Sequence, residues 1–154
     1  MYLRISLAAV HLIALGLGLG AVIQRGSALR EPPTHSSLKR VFKHDATWGI
    51  AALLWVATGL WRLLDSVEKP VLYYMNSYAF YAKMGFFVMI LLLELSPMLT
   101  LMKWRRAMAR GEPPELISSP EKSRRLASIS HFQALLVVLM VFAAVSMARG
   151  FGMR

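Results

Sequence analysis

Apolar positions in this chain fall into four long runs, at residues 5–23, 46–64, 79–102 and 127–148. Each is close to the roughly 20 residues that a helix needs to cross a bilayer, and longer than the core helices of most soluble domains. The polar segments between them are 24–45, 65–78 and 103–126. Pro32-Pro33 breaks the first segment, while Gly111, Pro113, Pro114 and Pro120 argue against a long helix in the third. Residues 38–45 are the one part of a loop whose pattern continues as helix into the next span. The pattern predicts an all-α polytopic membrane protein, one antiparallel four-helix bundle over residues 1–154.

A cleaved signal peptide is the competing reading of the run at 5–23; the run is longer than the usual apolar segment of one and no convincing A-x-A site follows it, so a first span is expected. Within it, Gly16 and Gly20 form a G-x-x-x-G pair of the kind that admits a neighbouring helix. Tyr73, Tyr74 and Tyr78 form an interfacial aromatic belt before the third span.

Charge sets the expected orientation. Arg25, Arg30, Lys39, Arg40 and Lys43 lie in the first polar segment, and Lys103, Arg105, Arg106, Arg110, Lys122, Arg124 and Arg125 in the third. The opposite side holds Arg4, Arg62, Lys69, Arg149 and Arg154. The positive-inside rule then puts loops 24–45 and 103–126 in the cytoplasm and both termini outside, in the periplasm of a bacterial inner membrane. The net charge of +10 is explained by topology, with attraction to anionic lipid at the cytoplasmic face as its consequence, and gives no case for nucleic-acid binding. With no cysteine, the chain holds no disulfide, thiolate site or covalently attached haem. P-loop, HExxH, G-x-S-x-G and dinucleotide motifs are also absent, and no protein metal cluster is indicated.

The informative residues are the polar ones inside the spans. A charge at bilayer depth costs about 3 kcal/mol or more, so it faces the bundle interior and a partner. Lys83 and Glu94 are eleven residues apart, about three turns, and project from nearly one face of the third span. His11, Gly18 and Arg25 repeat every seven residues on the first span, as do Trp48, Trp55 and Arg62 on the second. Depths counted at about 1.5 Å per residue bring His11, Lys83 and Arg62 to one outer layer, and Glu94, His131, Arg25 and Asp45 to a second, inner layer. Glu94 pairs most simply with Arg25 or His131; a proton relay is the alternative. His11 is open to three readings: an interhelical hydrogen bond, an axial haem ligand, or a step in a proton path. Lys83 either snorkels to the interface or holds an anion. Trp48 and Trp55 are packing residues or cavity walls.

His11, the stretch HDATWGIAALLWVATGLWR (44–62), EKPVLYY (68–74) and FYAKMGFF (80–87) resemble a bacterial family of small four-helix membrane proteins, a domain of unknown function. That resemblance implies a membrane location and a fold. His11 and Lys83 are also similar to two functional positions of the HemJ-type protoporphyrinogen oxidases, and copper-resistance membrane domains share the helical plan. The HemJ resemblance implies haem b, with His11 on the iron and Lys83 on a propionate. The convergence of Arg62 at the same depth adds a second cation for propionates or another anion, although Asp45, Trp48 and Arg62 belong to the pattern of the uncharacterised family. Tyr81-Ala82 before Lys83 departs from the His-x-Lys of that family.

Three functions are therefore carried forward. The first is a haem-linked redox protein acting on an anionic or porphyrin-like substrate, with Trp48 and Trp55 lining the cavity. The second is a proton- or anion-coupled transporter or channel subunit, which calls for an oligomer or partner. The third is a structural or assembly subunit whose ionisable residues fix helix packing. No catalytic residue is assigned.

Overall fold

A computed structural model of the protein describes residues 2–64 and 71–151. Lys69, Arg154 and residues 68–70 of the EKPVLYY stretch lie outside the described residues. The described residues form six helices: α1 (Tyr2–Ala28), α2 (His35–Leu64), α3 (Val71–Met75), α4 (Tyr78–Ala109), α5 (Pro114–Ile117) and α6 (Pro120–Ala148). No strand occurs among the described residues. α1, α2, α4 and α6 are long and apolar enough to cross a membrane.

All four long helices outrun the apolar runs, and they do so mainly at the end that carries the two basic loops, called here the basic end. The first polar segment shrinks to residues 29–34, and the third is reduced on both sides by the ends of α4 and α6. The physical reason is amphipathicity. Leu38, Val41 and Phe42, and likewise Leu101, Trp104 and Met108, recur at helical spacing among charged residues that dilute their hydropathy. These residues join Ala28, Leu29, Ile117, Leu126 and Ala127 in an apolar cluster at the basic end. There water drives burial, at about 1.5–3 kcal/mol for a large apolar side chain fully buried.

Local chemistry sets the helix ends. Thr34 caps α2: its Oγ1 accepts from the Ser37 N–H (3.1 Å), while the Thr34 N–H donates to Ser37 Oγ (2.9 Å). Ser119 caps α6 and Pro120 occupies its first turn. α4 runs through Pro97, which is buried, and stops before Gly111, whose φ of +81° needs a residue without a side chain.

A second cluster fills the middle of the bundle: Ala21, Val22, Trp48, Ile90, Ala134, Leu136, Val137 and Met140. α1 packs on α2 and on α6, and α6 packs on α4. α1 and α6 are thus the inner pair, with 33% of their most apolar windows buried against 17% for α2 and α4. α2 and α4 meet mostly through side chains. Glycines allow the closest approaches of α1. At Gly18 a Cβ would stand 3.3 Å from the Trp48 ring, and at Gly26 one would fall 2.2 Å from His131 Nδ1. Gly16 and Gly20 have nothing within 4 Å of a would-be Cβ, so the G-x-x-x-G pair plays no part in packing within the bundle.

Candidate functional site

Between the two apolar clusters lies a layer of polar side chains centred on Arg25, which is fully buried. Its Nη1 donates to Asp45 Oδ1 (2.9 Å) and to Glu94 Oε1 (2.8 Å). Its Nη2 donates to Glu94 Oε2 (3.0 Å) and to Gln133 Oε1 (2.8 Å), and its Nε donates to Ser130 Oγ (3.1 Å). Gln133 Nε2 in turn donates to Glu94 Oε2 (2.8 Å) and to the Ile90 carbonyl (3.2 Å). Arg105 closes the layer by donating to Asp45 Oδ2 (2.9 Å) and to the Phe42 carbonyl (2.8 Å).

One guanidinium therefore ties α1 to α2, α4 and α6. Two arginines face two carboxylates, so the layer is neutral in net charge. Each carboxylate takes an arginine on both oxygens, directly or by sharing. That is the condition under which a charge is tolerated away from water. The fork of Arg25 on Glu94 is the bidentate geometry that only arginine offers.

The second polar group lies toward the opposite end. His11 is buried and its Nδ1 is 2.9 Å from Thr58 Oγ1. Thr58 Oγ1 also lies 2.7 Å from the Leu54 carbonyl, so the histidine, the hydroxyl and the helix backbone form one short chain of hydrogen bonds. The ring stacks on Trp55 with centroids 5.6 Å apart and planes 30° apart, and Trp55 meets Phe87 edge-on at 5.6 Å. His11 Cε1 lies 3.2 Å from where a Cβ on Gly59 would stand. Arg62 lies one turn beyond Thr58, and Lys83 one turn before Phe87. Both are half-buried and belong to the same end of the bundle as His11.

Of the residues singled out from sequence, the structure joins Arg25, Asp45 and Glu94 in one network and stacks Trp55 on His11. His131 stands apart from Glu94. Its Nδ1–H donates to the Ala127 carbonyl of its own helix (2.9 Å), and its ring lies against Gly26. Ser130 and Gln133, three residues apart on α6, occupy the inward face instead. Trp48 is buried against Gly18. Sequence reasoning missed Gln133, Ser130, Arg105 and Thr58. A glutamine in the middle of an apolar run is itself a signal, since an amide there needs partners.

The surroundings of His11 are tight. The His11 ring is enclosed by Thr58, Trp55 and the Gly59 backbone. The cleft next to Trp55, between α2 and α4, holds about 50 Å³ and is lined by Ala14, Gly18, Trp48, Trp55, Phe87 and Glu94 among others. Cofactor pockets run to about 300–1,000 Å³. The residues present do not fit a porphyrin. No group of three or more potential metal ligands is found among the described residues.

The sequence profile of a family described as "Predicted membrane protein (DUF2214)" matches residues 3–152. The chain belongs to this family. No curated protein and no solved structure matches the chain. The match covers nearly all of this chain, the fourth helix included, whereas the resemblance seen in the sequence rested on separate pieces spanning most of residues 5–105. The family description agrees with four apolar helices and assigns no activity.

Proposed function

We propose that this DUF2214 protein is a structural subunit of a bacterial inner-membrane assembly, with the basic end in the cytoplasm and both termini in the periplasm. The observation that carries the reading is the closed, charge-balanced layer around Arg25. Its ionisable groups are spent on holding four helices in register. Hydrogen bonds and close packing associate helices in lipid, where the hydrophobic effect no longer does so. The layer makes a stiff body, and the sparsely buried faces of α2 and α4 give that body an apolar flank for a membrane neighbour. Orientation rests on the Lys and Arg of loops 24–45 and 103–126.

Transport is the second reading, and one observation favours it. The Glu94 side chain is 21% exposed and lines the cleft between α2 and α4. Haem-linked redox activity, the first function carried forward, draws no support from the enclosed His11.

Photo-crosslinking in native membranes separates the two live readings. A benzophenone side chain would replace Leu53 on α2, Leu92 on α4 or Leu12 on α1, all exposed. A structural subunit gives adducts of one discrete mass from Leu53 and Leu92 and none from Leu12. Proton flux into liposomes containing this protein alone, abolished by Glu94→Gln, would replace this reading with transport.

A further inference from the structure

At the basic end a cavity of about 530 Å³ opens between the α1–α2 turn and the start of α6. Arg30, Glu31, Ser118, Ser123, Arg124 and Ser128 supply its polar lining. Glu31 is taken up by an ion pair with Arg40, so it does not neutralise the arginines of the cavity. No hydrogen bond or ion pair joins the Arg30 or the Arg124 guanidinium to another described residue. Ser118 and Ser123 share one hydrogen bond (3.0 Å), which uses one of their two hydroxyl hydrogens and leaves the other to donate. The lining thus offers two positive forks and two hydroxyl donors, and its one carboxylate, Glu31, is paired with Arg40. That is the donor set for a phosphate oxyanion.

Depth says where such an anion comes from. The apolar run of the fourth span begins at residue 127. Ser128 sits at that boundary, and Arg124 and Ser123 lie about 4–6 Å beyond it along the helix. The headgroup zone is about 5–8 Å thick on each side of the hydrocarbon core. The arginine and the serine are therefore level with lipid phosphates. Leu29 and the paired prolines Pro32 and Pro33 form an apolar wall suited to the glycerol end of a lipid.

We propose that this cavity binds a phosphate-ester anion between Arg30 and Arg124, presented by the headgroup of an anionic phospholipid. It goes beyond the structural reading above and does not depend on it. The site turns the general attraction of a basic face for anionic lipid into one defined seat.

The test is binding of fluorescent phosphatidylglycerol to the full chain in an uncharged detergent, with inorganic phosphate as a competitor. Arg30→Gln/Arg124→Gln is expected to weaken phosphatidylglycerol binding by about tenfold or more, as loss of charged hydrogen bonds implies. Lys39→Gln/Lys103→Gln removes the same charge from exposed positions outside the cavity and is expected to leave binding within about twofold. Competition by millimolar phosphate would assign the seat to free phosphate as well as to lipid; no competition would assign it to lipid alone. Equal weakening by both pairs, or none by the arginine pair, overturns the proposal. Should the double variant fail to fold, Arg124→Gln alone carries the same comparison.

Discussion

Arg25 grips Glu94 with both arms of its guanidinium, Nη1 to Oε1 at 2.8 Å and Nη2 to Oε2 at 3.0 Å. The two residues are 69 positions apart in sequence and belong to α1 and α4, helices that do not pack closely on each other. A polar bond thus spans the bundle where backbones stay apart. It adds a direct tie between two helices that are otherwise held in register through α6.

The pair has a directional consequence. Arg25→Met leaves the Glu94 carboxylate without its fork, and breaking a buried pair from one side costs about 3–5 kcal/mol. Glu94 is partly exposed, so the lower end of that range applies. Removing both partners, as in Arg25→Met/Glu94→Leu, is expected to cost less than Arg25→Met alone, because no uncompensated charge remains. Asp45 keeps Arg105 in either variant. Thermal unfolding in detergent reads this, and a double variant no more stable than Arg25→Met would count against the clamp.

A second prediction concerns Gly26. A methyl there would fall 2.2 Å from His131 Nδ1 and 3.2 Å from Ser130 Cβ. The imidazole must swing away and lose its bond to the Ala127 carbonyl. Gly26→Ala is expected to lower stability by about 1–3 kcal/mol, the usual cost of overpacking. Gly26→Ala/His131→Ala should recover most of it, since the obstructing ring is gone. Unfolding midpoints of the three variants decide the matter, and a Gly26→Ala protein as stable as the parent would mean that α1 and α6 are further apart at this level.

Much of this was legible in the sequence. The stripe of His11, Gly18 and Arg25 repeats at seven residues, and all three turn out to be buried on one face of α1. A carboxylate at depth needs a partner, so Glu94 called for Arg25 or His131, and the structure supplies Arg25. The basic ends of the helices were harder to see. Leu38, Val41 and Trp104 are buried by an amphipathic pattern that a search for apolar runs averages away. The choice of Gln133 over His131 as the partner on α6 depends on helical phase. A shift of two residues rotates a side chain by about 200° at 3.6 residues per turn, and counting depth alone does not resolve it.

Absorption spectroscopy addresses the His11 layer. The His11 ring is held by Thr58 and Trp55, and the neighbouring cleft of about 50 Å³ is far smaller than a cofactor pocket. Detergent-purified protein is expected to show no Soret band, oxidised or dithionite-reduced. A band that is present in the parent and lost in His11→Ala would show that α2 and α4 open far more widely than their Trp55–Phe87 contact allows.

The indole of Trp55 gives the last prediction. Its Nε1–H is buried and has no hydrogen-bond partner among the described residues. An unmet buried donor costs about 1–3 kcal/mol, while the ring itself contributes through His11 and Phe87. Trp55→Phe removes the donor and keeps an aromatic face, so the penalty relieved offsets the smaller packing area. The variant should unfold within about 1 kcal/mol of the parent. Trp55→Ala, which empties the position, should lose about 3–5 kcal/mol. If Trp55→Phe loses as much as Trp55→Ala, the N–H is bonded in solution. The cleft between α2 and α4 would then hold an acceptor, a water or the polar head of a lipid-soluble molecule. Repeating the comparison in detergent and in lipid nanodiscs separates those two, because water is present in both and a membrane-borne molecule only in the second.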